Sequence, residues 1–243
     1  LSATVYAELG RSKPSSRTPG EERLAALGDP AYPLKPGSPA DPEVRDSVRR
    51  GLTLKPLPGS RREIEAITTL YPQAKVYLGR EATEEKAKSI GAQTDFVHFA
   101  CHGLLDEEFP LNSALALTLP EEPAEGRDNG LLQAWEIFES IRLDADLVTL
   151  SACDTALGRE MGGEGLVGLT RAFQYAGARS VLASLWGVSD RSTADLMKRF
   201  YSHLKQGRSK DEALRAAQID LIRRKGFAHP YHWAAFQLTG DWR

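Results

Sequence analysis

The stretch ADLVTLSACDTALG, residues 145–158, decides the fold class of this chain. Its first half is an almost continuous apolar run, which is typical of a strand buried on both faces of a parallel sheet. Its second half begins at Cys153 and Asp154 and continues into small residues, so the predicted strand ends at a cysteine. Sites in open α/β sheets form where strands end and loops begin, so the stretch predicts both a central strand and a candidate site.

Apolar strands and amphipathic helices alternate on both sides of this stretch. The other predicted strands are RLAALGDP, AKVYL, TDFVHFACH, SALALTL, SVLASLW and WAAFQLTG. Helices are predicted over 61–70, between Thr83 and Gly91, over LLQAWEIFES and GEGLVGLTRAFQYAG, and over 190–206 and 210–225. The alternation predicts an α/β fold in which a mostly parallel central sheet carries helices on both faces.

Local signals mark where these elements begin and where loops interrupt them. Ser60 with Glu63, and Ser209 with Glu212, have the spacing of capping boxes at helix starts. Residues 11–20 and 29–59 are rich in proline and glycine, and proline cannot join a strand ladder or a helix interior. Both segments are therefore predicted to be loops or linkers of a single domain that spans residues 1–243.

The composition restricts the classes of partner. The chain has 243 residues, of which 41% are hydrophobic and 26% are charged, and its formal net charge is -2. This is typical of a soluble globular protein, and the charge offers no general attraction to nucleic acid or to an anionic membrane. The chain contains 2 cysteines, which do not make a disulfide framework, so we expect a cytoplasmic protein.

His102 is the first candidate for chemistry. It follows a predicted strand in HFACHG, and Gly103 permits a sharp exit and a close approach by a ligand. Because imidazole titrates near neutral pH, a histidine at this place can act as a general base. A histidine that only caps the strand end through a backbone hydrogen bond is the alternative, and both interpretations remain open at this point.

Cys153 is the second candidate, at the end of a different buried strand. Small and flexible residues follow it, so a substrate can approach its thiol, and pairing with an imidazole would activate it as a thiolate. A free cysteine is more often an inert core residue. Cysteine and histidine that are distant in sequence and adjacent in the fold are the arrangement expected of a cysteine hydrolase, so each candidate strengthens the other.

The residues near His102 in the sequence are not predicted to take part in catalysis. Side chains alternate along a strand, so Cys101 points away from His102 and is predicted to lie in the core. His98 is predicted to be a core histidine with its hydrogen bonds satisfied, His229 and His232 to be structural, and His203 to lie on a helix face. A zinc site built from His98, Cys101, His102 and Cys153 lacks a Cys-x-x-Cys pair, and GREMGGEG lacks the Lys-Ser/Thr ending of a phosphate loop. No metal and no cofactor are expected.

Two acidic residues follow the predicted strand ends. Asp154 comes directly after Cys153, and Asp190 lies beyond SVLASLW. Either carboxylate could line a pocket that accepts a basic side chain. The alternatives are that Asp154 forms a turn and that Asp190 lies in the first turn of its helix or caps it.

Six ordered segments carry a resemblance to a known family. They are HFACHG, NSALALT, LLQAWEIFES, ADLVTLSACDTALG, the stretch 163–201 that begins GEGLVGLTRAFQYAG, and HPYHWAAFQLTGD. Together they resemble the CHAT domain, a family grouped with caspases, separases and metacaspases, and the resemblance covers roughly residues 20–243. It implies a caspase-like three-layer sandwich. Relative to the family, the chain looks as though it begins inside the domain, without an initial strand and helix.

The resemblance implies a role for each candidate. The general base of the family falls on His102 and its nucleophile on Cys153. The oxyanion hole would use the backbone N–H groups of Gly103 and Cys153, and Asp154 and Asp190 would contribute to the pocket for the residue before the cleaved bond.

The implied function is that of a cysteine endopeptidase which cleaves a protein partner. Relatives often follow a sensor module such as tetratricopeptide repeats, so we expect a regulator upstream or in trans, in a bacterial defence or cell-death system. Activating cleavage is predicted in 11–20 or 121–130. The alternatives are a non-catalytic CHAT-like interaction module and an acyltransferase with the same pair of residues.

Overall fold

The computed structural model describes residues 22–32, 54–121, 128–151 and 163–243. Its strands are β1 Leu24–Gly28, β2 Lys75–Leu78, β3 Phe96–Ala100, β4 His102–Leu104, β5 Ala114–Ala116, β6 Leu131–Gln133, β7 Leu147–Leu150, β8 Ser180–Ser184 and β9 Phe236–Gly240. Its α-helices are α1 Pro58–Thr68, α2 Glu84–Lys88, α3 Ala134–Ser140, α4 Glu164–Tyr175, α5 Asp190–Lys205 and α6 Lys210–Ile222. Short 3-10 helices cover Gly79–Glu81, Pro110–Asn112 and Pro230–His232.

The central sheet has six strands in the order β2-β1-β3-β7-β8-β9. Its neighbouring strands are parallel except for β9, which runs antiparallel to β8 at the edge. The strands β1, β3, β7 and β8 are buried along their whole length. The predicted mostly parallel sheet is therefore confirmed, and the continuous apolar runs reflect burial on both faces.

Alternating side chains of each central strand supply two separate layers of core. On one face, Val97 and Phe99 of β3 pack in a cluster with Ile137 of α3 and Phe173 of α4. The rings of Phe99 and Phe173 lie 5.5 Å apart between centroids. On the other face, the alternate residues of the sheet pack against α1, α5 and α6. Helices thus cover both faces of the sheet and form three layers.

A second, antiparallel sheet covers the end of β3, and here two predictions are wrong. The strand predicted over TDFVHFACH ends at Ala100, and His102 begins β4 in the three-stranded sheet β4-β5-β6. The helix predicted over LLQAWEIFES begins at Ala134, because Leu131–Gln133 pair with β5 instead. Pairing with distant residues overrides the local preference in both segments.

Two helix starts also differ from their predicted capping boxes. The helix α1 begins at Pro58, inside the predicted linker 29–59, because proline is tolerated in the first helical turn. Ser60 therefore lies within the helix, where its hydroxyl donates to the Leu57 carbonyl at 2.7 Å. The Ser209 hydroxyl at the start of α6 donates to Asp211 at 2.5 Å and caps no backbone N–H. Across the described ranges, none of the helices combines the length and apolar character that crossing a membrane requires.

Candidate active site

His102 lies where the chain passes from the central sheet into the second sheet. It comes two residues after the end of β3 and pairs in register with Ala116 of β5. Its side chain is buried, with 7% of its surface exposed. Because β3 and β7 are parallel neighbours, this position lies at the edge where both strands end.

The hydrogen bonds of His102 define the tautomer of its imidazole ring. Its Nε2 atom lies 2.8 Å from the carbonyl oxygen of Lys55. A carbonyl oxygen can only accept, so Nε2 carries the hydrogen and Nδ1 carries the lone pair. Among the described residues, the buried Nδ1 atom has no hydrogen-bond partner. The ring therefore offers an oriented basic nitrogen, which is what a general base requires.

Tyr32 packs against His102 and restrains its ring. The two ring centroids lie 5.5 Å apart, with the ring planes tilted by 44°. The Tyr32 hydroxyl donates to the carbonyl oxygen of Ala116 at 2.8 Å, which anchors the tyrosine to β5. Burial raises the pKa of Tyr32 far above its ordinary value, so the hydroxyl stays neutral.

Sequence reasoning missed both Tyr32 and the Lys55 carbonyl, because both fall in the segment predicted to be a linker. The available signal was one aromatic residue in the proline-rich stretch DPAYPLKPG. Nothing in its local spacing connects that tyrosine to a histidine 70 positions further along the chain.

Cys153 and Asp154 lie outside the described residues, so their roles stay predictions. The strand that leads to them is described. Phe99 of β3 pairs with Leu150 of β7, and the N–H group of Ser151 donates to the Phe99 carbonyl at 2.8 Å. His102 and Cys153 each follow this pair by three residues. The buried Ser151 hydroxyl, which sequence reasoning also missed, has no partner among the described residues.

Cys101 is a core residue, as its place in the strand pattern predicts. Its thiol is free, 1% exposed and packed in the same cluster as Phe99 and Phe173. Burial, followed by the nearby charge of Glu63, raises its pKa far above the ordinary value. A thiol that resists ionisation in this way is a poor nucleophile.

His98 is a fully buried histidine with both ring nitrogens satisfied, which confirms its prediction. Its Nε2 atom lies 2.8 Å from a carboxylate oxygen of Glu63, and its Nδ1 atom lies 3.1 Å from the Tyr201 hydroxyl. The Thr149 hydroxyl lies 3.0 Å from the same Tyr201 oxygen. These partners leave neither nitrogen for zinc, and the network joins α1, β3, β7 and α5.

The remaining candidates lie at the same edge of the sheet or on the surface. Gly103 pairs in register with Leu115 within the second sheet. Asp190 is the first residue of α5, beyond the end of β8, with Ser189 as the N-cap residue. His229 accepts from the Tyr231 N–H and His232 contacts Ser192, as their predicted structural roles require. His203 lies on α5, as predicted, and contacts Asp220.

An acidic cluster surrounds Lys88, the last residue of α2. The Lys88 ammonium lies 2.6 Å from Glu84, 2.8 Å from Asp128 and 2.8 Å from Glu136. The three carboxylates have ligand atoms within 4.8 Å of one another, as a metal site would need. Lys88 already supplies the positive charge at their centre, so this cluster carries no metal prediction.

Comparisons with known proteins agree with this architecture. The CHAT domain family model matches residues 2–241. Tetratricopeptide repeat protein 28 of Mus musculus is 30% identical over 229 residues, which cover 83% of this chain and 9% of that protein. The Homo sapiens protein of the same name is 27% identical over 259 residues, covering 95% of this chain and 10% of its own length. The chain thus spans about a tenth of these curated relatives.

Solved structures share the fold at low sequence identity. A Saccharomyces cerevisiae separase-securin complex matches with a TM-score of 0.54 and 14% identity, covering 98% of this chain and 13% of that one. The Arg specific cysteine proteinase gingipain R matches with a TM-score of 0.53 and 10% identity, covering 91% of this chain and 46% of that one. The predicted caspase-like α/β fold is confirmed. Since the family model also covers nearly its whole length, this chain belongs to the CHAT domain family.

Proposed function

We propose that this domain is a cysteine endopeptidase that cleaves a protein partner, with Cys153 as the nucleophile and His102 as the general base. The observation that carries the proposal is the buried Nδ1 atom of His102, which has no partner among the described residues. A buried polar atom without a hydrogen bond costs free energy, so its retention calls for an explanation in catalysis or ligand binding.

The register of the sheet supports the choice of partner. Parallel strands lie about 4.8 Å apart, and β3 and β7 are such neighbours. His102 and Cys153 follow the paired residues Phe99 and Leu150 by the same number of positions. We therefore expect the imidazole of His102 and the thiol of Cys153 to lie within reach of each other, as nucleophilic catalysis requires.

The proposed reaction begins when Nδ1 of His102 accepts the proton of the Cys153 thiol. The thiolate attacks the carbonyl carbon of the peptide bond and forms a C–S bond. The tetrahedral intermediate then collapses, the C–N bond breaks, and the imidazolium gives its proton to the leaving amine. A water molecule attacks the remaining thioester, passes its proton to His102, and releases the Cys153 thiolate with the carboxylic acid product.

The Lys55 carbonyl and Tyr32 support this cycle by holding the imidazole in place. The Nε2–H group of His102 can stay bonded to the Lys55 oxygen in every step, and that oxygen stabilises the positive charge of the imidazolium. The developing oxyanion would be bound by the backbone N–H groups of Gly103 and Cys153. The carboxylates of Asp154 and Asp190 would favour a basic residue before the cleaved bond.

The proposal includes control by a separate module. The mouse and human relatives are named for tetratricopeptide repeats, which supports a repeat module as the regulator. Activating cleavage is predicted in residues 11–20 or 121–130. Residues 11–20 and 122–127 lie outside the described residues. A place in bacterial defence or cell death, a cytoplasmic location and activating cleavage therefore stay predictions.

A non-catalytic interaction module is the second candidate function. The names of the mouse and human relatives describe a repeat protein and state no enzymatic activity, which favours this candidate. The oriented Nδ1 atom of His102, which has no partner in the described part of the chain, favours the peptidase, because a binding module has no use for a free base.

A labelling and cleavage experiment tests the proposal. The chain, with candidate regulator and partner proteins, is incubated with a peptide library and with a peptide acyloxymethyl ketone that carries arginine before the reactive group. We expect the wild-type chain to cleave peptides and to be labelled at Cys153. The Cys153→Ala variant should do neither, and the matched Cys101→Ala variant should do both.

Two outcomes contradict the proposal in different ways. Normal cleavage by Cys153→Ala would show that the nucleophile is wrongly assigned. Absence of cleavage and labelling in every mixture, with the chain correctly folded, would favour the interaction module.

A further inference from the structure

A cavity of about 940 Å³ lies beside Tyr32. Its described walls come from the loop after β1, the 3-10 helix after β2, the start of α2, the segment after β5 and the segment before β6. His102 is not among the described residues that line it. Its volume is at the upper end of the range found for sites that bind small molecules or short peptide segments.

Hydrogen bonds between distant segments hold the walls of this cavity together. The Thr118 hydroxyl donates to the Gly79 carbonyl at 2.7 Å and accepts the Ala31 N–H at 3.1 Å. The Leu119 N–H donates to the Ala31 carbonyl at 3.1 Å. The Gly130 N–H donates to a carboxylate oxygen of Glu84 at 2.8 Å. These hydrogen bonds fix the described wall segments relative to one another.

The lining of the cavity is acidic around an apolar floor. Among the described residues of the lining, the ionisable ones are four carboxylates and one guanidinium: Glu84, Glu85, Glu121, Asp128 and Arg80. Arg80 pairs with Glu121 at 3.0 Å on the exposed rim, where such a pair is weak. Lys88 pairs with Glu84, Asp128 and Glu136, so the charge of that cluster is largely compensated. Glu85 and Glu121 are the lining carboxylates that Lys88 does not compensate, and they outnumber Arg80, so the described lining favours a cation.

We propose that this cavity binds an arginine or lysine side chain of a partner protein, together with an apolar neighbour of that residue. The carboxylates match the charge of the basic group. The apolar surfaces of Ala31, Leu119 and Pro120 match the neighbouring residue, since a lone basic side chain would fill little of the volume.

Tyr32 connects the cavity with the candidate base. Its side chain lines the cavity and also packs on the ring of His102, 5.5 Å away between centroids. A ligand that contacts Tyr32 therefore changes the surroundings of the imidazole without touching it. Binding at the cavity alone does not rest on the proposed peptidase function, whereas an effect of binding on cleavage does.

Titration with a short peptide tests the proposal. The probe is an N-acetylated tripeptide amide, Leu-Arg-Leu, and the matched control peptide carries the neutral isostere citrulline in place of arginine. The titration uses the Cys153→Ala chain, so that cleavage does not consume the probe and catalytic failure does not affect the result. Binding is measured by calorimetry, and the His102 ring is followed by its Cε1–H resonance in NMR.

The expected result is saturable binding of the arginine peptide, at least ten-fold tighter than that of the citrulline peptide, with a shift of the His102 resonance. The double variant Glu85→Gln, Glu121→Gln should weaken binding at least five-fold, because it removes two lining charges. The variant Glu139→Gln, which removes an exposed charge from α3 outside the cavity, should leave the affinity unchanged.

Three results would overturn the proposal. They are no binding at millimolar peptide, equal affinity for the arginine and citrulline peptides, or equal affinity of the wild-type cavity and the double variant. The last result would mean that the peptide binds elsewhere on the chain. Each of them leaves the proposed peptidase function intact, since the labelling of Cys153 is measured separately.

Discussion

His98 and His102 are four residues apart and both buried, yet their surroundings are opposite. Both ring nitrogens of His98 contact side chains, those of Glu63 and Tyr201. His102 uses one nitrogen on the Lys55 carbonyl and leaves the other without a partner among the described residues. His98 lies within the central sheet, and His102 lies where the chain has left it.

Burial therefore does not distinguish a structural histidine from a catalytic candidate, whereas the hydrogen bonds of the ring do distinguish them. A side chain with every polar atom satisfied adds to the stability and specificity of the core. A side chain that keeps a buried basic nitrogen without a hydrogen bond lowers the stability of the fold, and such a cost is typical of sites that act on a ligand.

Replacement of His102 should produce the largest effect, on activity. A general base contributes about 10²–10⁴-fold to a rate, so we expect His102→Ala to lower peptide cleavage by that factor. Its stability should fall by about 1–3 kcal/mol, because the hydrogen bond to the Lys55 carbonyl and the packing against Tyr32 are both lost. The rate of peptide cleavage and the urea midpoint of the same preparation measure the two effects. Wild-type cleavage by this variant would remove His102 from the mechanism.

Replacement of His98 should affect stability instead. His98→Leu leaves the Glu63 carboxyl group buried without its partner, which costs about 3–5 kcal/mol in such pairs. Urea unfolding followed by circular dichroism measures the loss. The double variant Glu63→Met, His98→Leu is the matched control, and it should recover part of the loss because both polar partners are gone. An unfolding free energy within about 1 kcal/mol of the wild-type value, as expected for a substitution at an exposed position, would contradict the structural role of His98.

Glu84 extends the comparison to a buried acid. Burial raises the pKa of its carboxyl group from 4.5 to about 7, while the Lys88 ammonium opposes the shift. The unfolded chain therefore loses this proton at a lower pH than the folded chain, so the free energy of unfolding falls as the pH rises from 4.5 to 7. The Glu84→Gln variant lacks this titration. Between pH 4.5 and about 7, we expect its free energy of unfolding to fall by about 1–3 kcal/mol less than that of the wild type.

Urea unfolding at several pH values compares the Glu84 variant with the wild type. The matched control is Glu85→Gln, at an exposed neighbouring position that should keep the wild-type slope. Parallel pH profiles of Glu84→Gln and the wild type would mean that Lys88 keeps the carboxylate ionised throughout the range.

Replacement of Cys101 should have the smallest effect. Cys101→Ala removes one buried sulfur atom, which should cost about 1 kcal/mol of stability and leave the cleavage rate unchanged. Thermal unfolding and peptide cleavage measure the two quantities. A large loss of activity in a folded Cys101→Ala chain would mean that the assignment of the two cysteines is reversed.

Local patterns predicted most of the central sheet but only β5 of the second one. The apolar runs around Leu147 and Val181 became central strands because burial on both faces requires such runs. The division between β3 and β4 at Cys101 was missed because the same apolar run continues through it. The strand Leu131–Gln133 was missed because only its pairing with β5 prevents it from joining the helix that follows.

The candidate site divides in the same way. The identity of His102, its separation from Cys101 and the edge of the sheet where it lies follow from strand alternation and chain topology, which are local and therefore visible in one sequence. Its hydrogen bond to Lys55, its contact with Tyr32 and the acidic cavity beyond that ring were decided by the tertiary structure. These contacts join segments that are far apart in the chain, and no local periodicity records which distant segments meet.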